Sequence, residues 1–132
     1  MENQPFDLGK ALAILERTPA SLTALLNGLP DTWLTATEGE GTWSPYDVIG
    51  HLIHGERTDW IPRTRHILAG DKRPFEPFDR TAQFTASKGN TIGQLLSNFA
   101  ELRRENIATL TGFNLTAIDL EQIGRASCRE RV

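Results

Sequence analysis

The sequence is poor in the residues that identify many protein classes. It holds one cysteine, one methionine and one tyrosine among 132 residues. A lone thiol cannot close an internal disulfide, and one cysteine with three histidines cannot furnish a zinc finger or ribbon. No apolar run approaches the roughly 18 residues that a membrane span needs. Met1 to Lys10 lacks the charged-then-apolar layout of a secretion signal. The expectation is a cytoplasmic protein with no membrane partner. Basic residues are not clustered: 14 Lys and Arg stand against 17 Asp and Glu, for a formal net charge of −3. Binding to a phosphate backbone needs a basic stripe, so the composition argues against a nucleic-acid partner. The length suits one domain with one modest core.

The last ten residues, Ile123 to Val132, stand apart from the rest. They carry three of the arginines and the only cysteine, Cys128, with little apolar content. They resemble the in-frame translation of a sequencing adapter, and the expectation is a non-native tail on a domain spanning residues 1–122. Up to Gln122 the chain then has 11 basic and 16 acidic residues, a net charge of −5, and no cysteine.

What the chain does have is helical spacing. Leu8, Leu12 and Leu15, then Leu22, Leu25, Leu26 and Leu29, recur at intervals of three and four. Thr18-Pro19 between them reads as a cap followed by a first-turn proline, which predicts a broken or kinked element. Gly28 and Pro30 close it. Thr35 to Gly41 is a polar loop. The second helix has the clearest start signal: Ser44 as cap, Pro45 at the first helical position and Asp47 where the acid of a capping box belongs. It is predicted to run from Pro45 to about Leu68, with a kink near Thr58 imposed by Pro62. Gly70 to Gly89 is a long connection with Phe75, Phe78 and Phe84, of the kind that serves as a lid or a packed cover. The third helix, Thr91 to Thr111, carries Ile92, Leu95, Leu96, Phe99, Leu102 and Leu110 on one stripe, and Gly112 ends it. Phe113 to Gln122 reads as turn-like. Nothing reads as a strand, so the fold class is an all-α bundle.

All three histidines, His51, His54 and His66, fall on the second helix, and imidazole is the commonest protein metal ligand. At about 100° per residue the apolar face centres near 130° from His51, which lies at one border of it. His54 falls about 60° further from that centre, and His66 falls on the far side. One helix cannot converge three such side chains on a tetrahedral ion. His51 is therefore the best candidate, with either a ligating or a packing role; His54 is the weaker one, and His66 reads as surface. By the same count Glu56 and Arg63 face the core, where an unpaired charge is costly. They form a structural ion pair, reach water along their stems, or line a polar cavity of the bundle, which Asp59 would border. Trp43, just before the cap, suits a hydrophobic staple. Phe75 and Phe78 either cover the core or wall a pocket.

The stretch Thr42-Trp43-Ser44-Pro45-Tyr46-Asp47-Val48-Ile49-Gly50-His51-Leu52-Ile53-His54-Gly55-Glu56, continued by Asp59-Trp60-Ile61-Pro62-Arg63, resembles the DinB superfamily of bacterial proteins. So do the loop Arg73 to Arg80 and the run Leu102-Arg103-Arg104-Glu105-Asn106. The resemblance implies a four-helix bundle, usually dimeric, with a divalent metal, zinc or nickel, held by three histidines; residues 1–122 are then expected to be an incomplete domain whose fourth helix is missing. It matches His51 to the first of those ligands. The other two belong to a fourth-helix His-x-x-x-His motif that this chain does not contain. Glu56 or Asp59 would orient a bound water or ligand. The activity implied is a thiol-dependent S-transferase using bacillithiol, mycothiol or glutathione, or a related enzyme, with a small-molecule thiol and an electrophile as partners and a homodimer as assembly. This chain, lacking two ligands, is expected to be inactive and not to hold the metal stably, and its open groove to promote association. The alternative is a metal-free binding or interaction domain of the same fold, in which His51 packs as a polar core residue.

Overall fold

Apolar side chains spaced by three and four residues produce helices with one buried stripe, and the computed structural model, which describes residues 5–129, is built on that pattern alone. Its regular elements are α1 (Leu8–Leu26), α2 (Asp31–Leu34), α3 (Pro45–Thr58), α4 (Trp60–Leu68), α5 (Ala82–Ala86), α6 (Ile92–Gly112) and α7 (Ala117–Arg129). No strand occurs among the described residues. No helix among them is long and apolar enough to cross a membrane.

α1 and α3 each pack on α6, and α5 packs against α3. The core they enclose consists of Leu26, Leu34, Ile49, Ile53, Leu95, Leu96 and Phe99. Ile49 and Phe99 are fully buried at its centre. The predicted stripe of the third helix is thus the inward face of α6.

Three expectations about the elements change. First, α1 is unbroken, with Pro19 in its interior. A proline there removes the N–H that would serve the carbonyl four residues back, which belongs to Leu15. That carbonyl accepts instead from Arg103 Nη1 at 3.1 Å, so a side chain from α6 replaces the missing backbone donor. Thr18 does not cap anything; its hydroxyl donates to the Ile14 carbonyl within the same helix. Second, the long second helix is two helices, α3 and α4, divided at Asp59, whose backbone leaves the helical region (φ −106°, ψ −85°). Pro62 then falls in the first turn of α4, where no N–H is required. α6 ends at Gly112 as expected, and just beyond it Asn114 takes the left-handed conformation (φ 50°), its N–H bonding the Thr111 carbonyl at 3.2 Å. Third, the segment read as turn-like becomes helical at Ala117, so a helix stands where the fourth was expected to be missing. Thr116 and Asp119 make a reciprocal cap, Asp119 N–H to Thr116 Oγ1 at 3.2 Å and Thr116 N–H to Asp119 Oδ2 at 2.9 Å. α7 packs against α4. Of the segment read as a non-native tail, residues 123–129 continue α7 and residues 130–132 lie outside the described residues.

The caps of α3 and the end of α1 are as expected. Ser44 and Asp47 form the capping box, and Gly28, in the left-handed conformation at φ 84°, follows the end of α1.

A candidate site around His51

The capping box fixes where α3 begins, and so places Trp43 one residue outside the helix and His51 two turns within it. A hydrophobic staple would bring Trp43 onto Val48. Val48 remains 40% exposed, and Trp43 packs on the His51 imidazole instead, with centroids 4.9 Å apart. Phe84 of α5 meets Trp43 edge-on at 6.2 Å. From the loop between α4 and α5, Phe78 lies edge-on to His51 at 5.3 Å and to His54 at 4.8 Å. Phe78 directly, and Phe84 through Trp43, therefore wall the histidines of α3.

Inside that wall His51 is half-buried, and its Nδ1 is shut off from solvent with no hydrogen-bond partner. An unsatisfied buried nitrogen is costly unless something occupies it or the ring stays neutral. Burial pushes the His51 pKa below its ordinary value of 6.5; the nearby His54 and Arg80 push the same way, and Asp59 opposes them. The ring is thus held as a neutral imidazole, the form that ligates metals and attacks electrophiles. His54 borders the same cluster, with its Nε2 3.4 Å from the Thr58 hydroxyl.

The other charged candidates are employed elsewhere. Glu56 is buried as expected, but its partner is Arg103 of α6 and not Arg63. Arg103 Nε donates to Glu56 Oε1 at 2.8 Å, and Nη2 lies 2.6 Å from the same oxygen. Asn106 donates to Glu56 Oε2 at 2.9 Å and to its backbone carbonyl at 2.7 Å. The carboxylate therefore ties α3 to α6 and, through the Leu15 carbonyl, to α1. Arg63 does not face the core: its side chain is 31% exposed, its Nε lies 2.7 Å from Asp59 Oδ1, and its guanidinium sits 5.0 Å from the Phe75 ring. The break at Asp59 resets the helical register, so an angle counted from His51 does not carry into α4. For the same reason His66 is neither a surface residue nor near His51. Its Nε2 bonds the Arg73 carbonyl at 2.8 Å, which makes that nitrogen the protonated one, and Phe75 lies edge-on at 5.0 Å.

Arg103 and Asn106 were not flagged by the helical count, yet the signal was present. Arg103 follows Phe99 by four residues on α6's apolar stripe, the same anomaly that marked Glu56. Gln83, fully buried with both amide atoms unpartnered, has no such signal in its short surrounding sequence.

A tetrahedral divalent site requires three or more donors converging on one point. Among the described residues no group of three His, Cys, Asp or Glu side chains is placed to hold an ion. The neutral imidazole with its open Nδ1 fits a single ligand. The described residues do not fit a complete centre.

A family model described as the DinB superfamily matches residues 14–131. A comparison with curated proteins gives no match. Among solved structures the chain is similar to YfiT from Bacillus subtilis, described as a probable metal-dependent hydrolase with an unusual four-helix bundle topology. The identity is 24% and the TM-score 0.71, over 89% of this chain and 70% of that one, a likeness that concerns the fold.

Proposed function

Because the chain belongs to the DinB superfamily, we propose that His51 is a ligand-binding imidazole contributing one donor to a divalent-metal site, zinc or nickel. The remaining donors come from outside residues 5–129. The activity proposed for the complete site is transfer of a small-molecule thiol to an electrophile, in an enzyme acting as a homodimer in the cytoplasm. The observation that carries the reading is the His51 Nδ1, buried and unpartnered on a ring kept neutral by its surroundings. YfiT, similar in fold and described as a probable metal-dependent hydrolase, is in keeping with it.

What the chain's own residues contribute is exclusion of water and orientation. Trp43 and Phe78 both pack on the imidazole and limit its movement. Asp59 is anchored by Arg63 at the C-terminal end of α3, where its charge reaches His51. No catalytic step is assigned to Glu56, whose two oxygens are already engaged.

A second reading has its own support. The rings packed on His51 also suit a polar residue at the border of a core, in a metal-free binding domain. The two readings separate in an NMR titration of the histidine ring protons with paramagnetic Ni2+. The ligand reading expects weak, reversible broadening of His51 ahead of His66, lost in His51→Ala. His51 resonances unaltered at millimolar Ni2+ would establish the second reading and remove the first.

A further inference from the structure

The loop from Asp71 to Thr81 is fastened unequally along its length. Its first half is pinned to α4 by several independent contacts. Arg73 is joined to Asp71 through both guanidinium and backbone N–H, and its carbonyl accepts from His66. Phe75 sits against both the His66 ring and the Arg63 guanidinium, each at 5.0 Å. At its far end Asp79 accepts from the Thr81 N–H and hydroxyl, at 2.9 and 2.8 Å, where the chain turns into α5. Between these anchors, among the described residues, no hydrogen bond joins residues 74–78 to the rest of the protein. What holds that stretch down at its centre is the Phe78 ring on His51 and His54.

We propose that Phe78 is a gate on the His51 imidazole, and that residues 76–78 lift as a unit to admit a ligand while residues 71–75 stay fastened to α4. The inference rests on the reading of His51 as a ligand-binding group and adds the means of access to it. Three observations carry it. The imidazole nitrogen without a partner is inaccessible in the closed arrangement, so a ligand reaches it only after a covering group moves. Phe78 is a covering group with no hydrogen bond to break, since edge-on ring contacts are short-ranged and weak beside the bonds at Arg73. The two phenylalanines, three residues apart, each seat on a different histidine, so the loop is divided between a fixed contact and a releasable one. Closure also returns an aromatic wall to the site, which excludes water from whatever His51 holds.

Relaxation-dispersion NMR on the intact chain tests the motion directly. The gate requires a common exchange process at Phe78, His51 and His54, with Phe75 and His66 quiet. A Phe78 without exchange, or one exchange process shared with Phe75 and His66, overturns it. Ni2+ titration supplies the second arm. Phe78→Ala, with Phe78→Leu as the conservative companion, is expected to lower the concentration that half-broadens His51 by about tenfold, equivalent to about 1.4 kcal/mol of closing energy. Phe75→Ala is expected to leave it unchanged. Broadening of His51 with the same midpoint in wild type and Phe78→Ala overturns the gate and leaves the ligand reading standing. If His51 is not broadened in either protein, the ligand reading falls, and the gate that rests on it falls as well.

Discussion

Replacing Arg103 by methionine is the most informative single perturbation of this fold, because one guanidinium connects three helices. It neutralises Glu56, whose side chain is 3% exposed, at 2.6 Å, and it substitutes for the backbone donor that Pro19 removes from α1. It also lies over the Phe99 ring at the centre of the core, 4.9 Å from its centroid. Methionine keeps most of the buried stem and none of the donors. The Glu56 carboxylate is then left with Asn106 as its remaining side-chain partner, and the Leu15 carbonyl is left bare. Orphaning one member of a buried ion pair costs about 3–5 kcal/mol. A domain of this size is stable by only about 5–15 kcal/mol in total, so the variant should sit close to its unfolding threshold at room temperature. The assay is urea denaturation followed by far-UV circular dichroism, reading the midpoint and the slope separately. Glu56→Met in the same background should recover most of the loss, because an apolar pair of similar volume avoids the desolvation of both charges. The reasoning is refuted if Arg103→Met costs less than about 1 kcal/mol, or if the double variant loses the sum of the two single losses.

Three further outcomes follow from the packing and the charges. Because burial lowers the His51 pKa below 6.5, the unfolded chain binds the extra proton first as pH falls. Stability should therefore be complete above that value and decline as pH drops from 6.5 through the lower folded value. In His51→Leu this part of the slope disappears, as thermal melts across pH would register. Gly50→Ala would drive a methyl group into Ser87 Oγ and within 3.3 Å of Gln83 Cβ, prising α5 from α3. A loss of about 1–3 kcal/mol is expected, eased by adding Ser87→Gly, and urea midpoints of the three proteins check it. Gln83→Met should be neutral or stabilising by about 1 kcal/mol, since both amide atoms are buried without partners. A clear loss in melting temperature would mean that the amide is satisfied by internal water.

How much of this was legible beforehand depends on the range of the interaction. Ser44 and Asp47 announce a helix start because the cap is a bond between residues three apart. Thr116 and Asp119 carry the same signature three residues apart, and it marks the start of α7 as directly. The proline in α1 misled because its penalty is ordinarily local, whereas here a side chain from 88 residues away meets it. At the site, His51 stood out as an imidazole at the edge of an apolar face. Its surroundings did not: Trp43 chose His51 over Val48, and Phe78 reaches back 27 positions in sequence.

Sequence by itself determined that this chain is helical, where α3 and α6 begin, which stripe of α6 lies inward, and that one buried acid on α3 needs a partner. These follow from spacing, capping and the cost of burying charge, all expressed within a few residues. Only the tertiary structure decided which cation meets Glu56, where Arg63 and His66 point once the helix breaks at Asp59, and what covers His51. Those outcomes depend on the angle between segments far apart in the chain, and a one-residue break in a helix rotates everything beyond it.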